Sequence, residues 1–82
     1  MAASRLRVAS AKSGEDLKTK AISLNDAGYQ YYKQSRFGPA EKKFSTALKL
    51  NRLIDRREGI ASNLNNLGVL AQEQDKPDQA MV

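Results

Sequence analysis

An internal repeat constrains this chain more than any other feature. Leu24, Ala27, Gly28 and Tyr31, followed by Ala40, set a spacing that returns forty residues later as Leu64, Leu67, Gly68 and Ala71, followed by Ala80. Within the first unit, positions 24, 27, 28 and 31 fall on one helical stripe and 40, 44, 47 and 48 on a second. Between the stripes stands Gln34-Ser35-Arg36-Phe37-Gly38-Pro39, where Ser is able to cap a helix and Pro fits only a first turn. Two helices joined so briefly run antiparallel. A helix-interior Gly costs about 1 kcal/mol against Ala, so Gly28 and its counterpart Gly68 predict a close helix crossing in each unit. Ala27, Ala40 and Ala47 let two backbones approach, while Phe44 and Tyr31 fill the space beside them.

This spacing resembles the tetratricopeptide repeat, whose pattern runs Leu-x2-Leu-Gly-x2-Tyr and then Ala-x3-Phe after an aromatic or Leu start. The first unit meets it with Leu24-x2-Ala27-Gly28-x2-Tyr31 and Ala40-x3-Phe44-x2-Ala47; the second meets it in part, with Leu64-x2-Leu67-Gly68-x2-Ala71 and Ala80. Leu24 and Leu64 replace the usual aromatic, Ala71 replaces Tyr, and Pro77 stands where Phe37 stood. The period of 40 also exceeds the family's usual value of about 34 and is similar to its long-helix variety. The likeness covers roughly residues 15 to 82. It implies an all-α fold of antiparallel helix-turn-helix units, about one and a half repeats of an α-solenoid.

The expected organisation follows. Residues 1–14 are basic, with Arg5, Arg7 and Lys12 and no acid; they read as a flexible terminus, as the tail of a preceding helix, or as a targeting peptide. Residues 15–54 form a first hairpin and 55–82 a truncated second one. The first helix is expected from about Glu15, capped by Ser13 with Asp16 in an imperfect capping box, its core stripe being Leu17, Ala21, Leu24, Gly28 and Tyr31. The second is expected from about Phe37 to Ile54, with Phe37, Ala40, Phe44, Ala47, Leu48, Leu50 and Ile54 inward. Asp55 caps a third through a box with Glu58, which runs to Gln74 on the stripe Ile60, Ala61, Leu64, Leu67, Gly68 and Ala71. Pro77 opens a fourth. The partners of Phe44 and Ala47 in that helix would fall past Val82. Leu64, Leu67 and Ala71 are therefore expected to form an uncovered assembly face, open to homodimerisation or exchange of a helix pair.

Composition narrows the function. The 82 residues include neither Cys nor His, which removes disulfides, thiolate metal sites and Cys or His catalysis. There is no Gly-rich phosphate loop, and the acids at helix starts are explained by capping, so no enzyme and no cofactor is expected. No apolar run approaches the ~18 residues of a membrane span, which points to a soluble protein, and no compartment can be read. The net charge of +5 is +3 over residues 1–20 and +2 over residues 21–82. Along the helices basic residues interleave with Glu41, Asp55, Glu58, Glu73 and Asp78, a solvated pattern that weighs against nucleic acid or an anionic membrane surface as the partner.

A protein or peptide partner remains. In the family resembled, the first helix of each pair lines a concave groove, which would place Asn25, Tyr29, Tyr32, Lys33 and Arg36 there beside Asn65, Val69 and Gln72. An Asn amide both donates and accepts, matching the backbone of an extended peptide, and Tyr supplies a large amphipathic contact. The competing reading makes the Tyr rings helix packing and leaves the Asn residues solvated. Relatives that clamp an acidic C-terminus carry Lys at the Asn25 position and Asn at the Tyr29 position; neither is present here. Lys33, Arg36 and Lys76 still favour an acidic peptide.

Overall fold

The computed structural model describes the backbone of residues 2–75 and the side chains of residues 14–75. These form three helices, α1 (Ala2–Lys33), α2 (Phe37–Leu53) and α3 (Arg57–Gln74), with no strand among the described residues. The chain is all-α. The expected start of the first helix at Glu15 is corrected, because α1 runs unbroken from Ala2. Residues 2–12 are rich in Ala, Leu, Arg and Lys, all strong helix formers, and the single interruption, Gly14, costs only about 1 kcal/mol. Ser13 is therefore interior to a helix and not its cap. The fourth helix expected from Pro77 lies outside the described residues.

Both turns are built alike, and not as the capping motifs predicted. Ser35 and Asp55 sit in the left-handed region, at φ of 61° and 53°. The Ser35 amide donates to the Tyr32 carbonyl and the Arg36 amide to Tyr31, both at 2.9 Å; Asp55 donates to Arg52 and Arg56 to Asn51 in the same pattern. These paired bonds close the C-terminal ends of α1 and α2 in the Schellman manner. Asp55 thus terminates α2 instead of opening α3. Arg36 and Arg56 occupy the N-cap positions, neither making a side-chain capping bond. Asp and Ser tolerate the left-handed region less well than Gly. Ser35→Gly and Asp55→Gly are each expected to raise stability by about 0.5 kcal/mol, measured as a higher urea midpoint; a lower midpoint would contradict this assignment of the turns.

Packing follows from the small residues. Ala21, Ala40 and Ala47 are fully buried, and Phe44 and Leu70 nearly so. A Cβ on Gly28 would lie 2.7 Å from the Phe44 ring carbons; glycine is required there because the ring lies on the α1 backbone. Gly28 opposite Phe44, and Tyr32 against Phe37, make α1 and α2 antiparallel. Asn51 opposite Asn63, with Glu41 and Ser45 beside Leu70 and Gln74, does the same for α2 and α3, and Asn25 beside Asn63, with Tyr29 and Tyr32 beside Asn66 and Val69, sets α3 parallel to α1. The chain measures 64 × 20 × 14 Å, with a radius of gyration of 16.2 Å; a compact chain of this length would have about 12 Å. The elongation follows α1, whose 32 residues span roughly 48 Å.

The face that α3 turns to the α1–α2 hairpin is not its apolar stripe. Gly59, Asn63 and Leu70 are buried, while Ala61, Leu64, Gly68 and Ala71 are exposed and Ile60 and Leu67 half-buried. The repeat assigns to α3 the flank that α1 turns toward α2. In the fold α3 turns another flank to the α1–α2 hairpin. A Cβ on Gly68 would meet nothing within 4 Å among the described residues; the helix expected to cross there, from Pro77, lies outside them.

Candidate functional site

Between the parallel helices α1 and α3, a chain of amides crosses the molecule. The Arg56 guanidinium donates to Asn51 Oδ1 at 3.3 Å, Asn51 Nδ2 to Asn63 Oδ1 at 2.7 Å, and Asn63 Nδ2 to Asn25 Oδ1 at 2.9 Å. Asn66 Nδ2 adds a second bond to Asn25 Oδ1 at 2.9 Å. Asn51 and Asn63 are each only 1% exposed. Every buried side-chain nitrogen and oxygen among the described residues has a partner, as burial of polar groups demands. Gly59 makes room: a Cβ there would fall on the Asn51 amide and the Arg56 guanidinium. The network ends at the surface with two open valences, since neither Nδ2 of Asn25 nor Oδ1 of Asn66 bonds to any described residue.

Beside those open groups lies a hollow of about 160 Å³, walled by Tyr29, Tyr32, Phe44, Asn66 and Val69. Its aromatic wall is preassembled. Tyr29 stacks on Tyr32 with centroids 6.1 Å apart and planes 27° apart, and Tyr32 meets Phe37 at 6.1 Å. The Lys33 ammonium lies 5.3 Å above the Tyr29 ring. Such contacts are worth about 0.5–1 kcal/mol each and hold in place a ring that remains 49% exposed.

Against known protein families, curated proteins and solved structures, the chain matches none.

Of the eight predicted groove residues, the structure gathers Tyr29, Tyr32 and Val69 around one hollow, with Lys33 over its rim and Asn25 beside it through Asn66. Asn25 is half-buried and already accepts two bonds, so it is not the freely solvated amide of the competing reading. Asn65 and Gln72 are exposed and line no hollow with the others. Arg36 is displaced: its guanidinium lies 5.3 Å from the Tyr31 ring centroid, and Tyr31 borders a different furrow. Of the assembly-face residues, Leu64 is 48% exposed, Ala71 is exposed, and Leu67 packs against the core cluster. Phe44 and Asn66 as groove walls, and Asn51, Arg56 and Gly59 as its support, did not emerge from the sequence. Asn51 carried a signal, standing at helical spacing in line with Phe44, Ala47 and Leu48. No described helix is long and apolar enough to cross a membrane.

Proposed function

We propose that the chain is a helical-hairpin module of the tetratricopeptide type that acts by binding, taking an extended segment of a partner protein along the furrow between α1 and α3. The observation that carries this reading is the pair of open amide valences beside the aromatic hollow. Nδ2 of Asn25 offers a donor and Oδ1 of Asn66 an acceptor, together matching the C=O and N–H of an extended backbone. A partner helix has already spent those groups internally. Tyr29, half-exposed and held by Tyr32 and Lys33, serves as the aromatic anchor and loses little freedom on binding. Further support for the repeat arrangement comes from the twice-used turn at Ser35 and Asp55 and from the parallel setting of α1 and α3.

The test is selection of linear peptides by phage display, followed by fluorescence anisotropy on the winners. Tyr29→Ala is expected to weaken binding at least tenfold, in the range of an interface anchor, while Leu53→Ala, at an exposed leucine on α2, leaves it unchanged. Equal affinity for the Tyr29→Ala variant would refute the reading.

A further inference from the structure

A larger hollow is on the other side of the hairpin, and it has no role in the function proposed above. It measures about 530 Å³ and lies in the furrow between α1 and α2. Leu24 and Tyr31 of α1 and Pro39 of α2 supply an apolar floor. The Thr46 hydroxyl donates to the Lys42 carbonyl at 2.9 Å, which satisfies its polar end and leaves its methyl group for the wall. The rim is basic: Lys42 and Lys43 border the hollow, and the Arg36 guanidinium lies over Tyr31. No acid lines it. Glu41, the nearest along α2, belongs with Ser45 to the opposite flank, where both face α3.

From this we infer a second docking surface whose occupant is an amphipathic helix of a partner, apolar along one stripe and acidic beside it. On its other flank the same pair of helices receives α3, which seats Asn63 and Leu70 at helical spacing. The furrow lined by Leu24, Tyr31 and Pro39 lies on the flank away from α3, and its lining runs along about two turns of each helix, from Leu24 to Tyr31 and from Gly38 to Thr46. Three cations around an apolar floor, with no acid among the described lining residues, repel a basic helix and steer an acidic one. Lys43 is half-buried and borders the floor, the setting in which a lysine buries its stem and keeps its ammonium in water.

The experiment uses the full chain and two fluorescein-labelled peptides of roughly 15 residues, too short to be stable helices alone. Both carry Leu at helical i, i+4, i+7 and i+11 positions; one has Glu beside the stripe and its twin has Lys. The acidic peptide is expected to bind saturably, at least about tenfold tighter than the basic twin at low salt, a gap that three exposed ion pairs suffice to produce. Lys42→Glu with Lys43→Glu is expected to reverse the order. Tyr29→Ala leaves both affinities as they were, which separates this surface from the α1–α3 furrow. Absence of saturable binding, affinities indifferent to flank charge, or loss with Tyr29→Ala alone would each overturn the proposal. So would two other occupants: a dimer in light scattering that the double Glu variant dissolves, or binding to anionic phosphatidylserine vesicles in place of the peptide.

Discussion

Asn63→Ala is expected to destabilise the chain by about 3 kcal/mol, from the lost bonds, the stranded donor and the void left behind. Asn63 is 1% exposed and joins three helices, accepting from Asn51 and donating to Asn25. Its removal leaves the Asn51 Nδ2 group buried without an acceptor, which alone costs about 1–3 kcal/mol. For 82 residues the whole stability is about 4–12 kcal/mol, so a loss of this size is visible directly in a urea unfolding midpoint. Asn25→Ala removes both bonds that Asn25 accepts and strands the Nδ2 donor of the buried Asn63, so about 1–3 kcal/mol is expected. The double variant Asn51→Leu with Asn63→Leu is expected to cost less than the sum of the single ones. Replacing both partners leaves no orphaned amide. A full additive loss would mean that the amides contribute independently and not as a linked chain.

A comparable effect is expected at the α1–α2 crossing. Phe44→Ala removes a ring that is 1% exposed and is expected to cost about 4 kcal/mol. Gly28→Ala gains about 1 kcal/mol of helix propensity but drives a methyl into ring carbons at 2.7 Å. Overpacking of this kind costs about 1–3 kcal/mol, so a net loss is expected. Gly68→Ala meets nothing within 4 Å among the described residues and is expected to gain up to about 1 kcal/mol. The two glycines are equivalent in the repeat, and calorimetry on the two variants separates repeat position from packing. A gain at both sites would show that the ring does not lie where the structure puts it.

Much of the first hairpin was legible in the sequence, because one flank of α1 and one of α2 carry all the apolar periodicity, and Gly28, Ala40, Phe44 and Ala47 are used as their spacing implies. The extent of the third helix was legible too, but the face on which it docks was not. An α-helix offers several flanks at a period of 3.6 residues, and the apolar stripe through Leu64 and Ala71 does not coincide with the one α3 turns to its neighbours. That inward flank is partly amide, and Asn63 and Asn66 carry no hydrophobic signal to mark it. The turns were misread for a related reason. Asp55 followed by Glu58 satisfies a capping-box pattern, yet Asp also enters the left-handed region, and the backbone bonds that close α2 decide between the two uses. In the groove, the aromatic residues were legible because Tyr29 and Tyr32 stand off the core stripe of α1, whereas the half-spent amides that give them direction appear only once three helices are assembled.

Peptide binding in the α1–α3 furrow is tested most directly by a heteronuclear NMR titration of the labelled chain with a display-selected linear peptide. The shifted signals are expected to cluster at Tyr29, Tyr32, Asn66 and Val69, and the Asn25 and Asn66 side-chain amides to move with them. Shifts confined to Leu64, Gly68 and Ala71, or saturable binding that leaves those two side-chain amides unmoved, would contradict it.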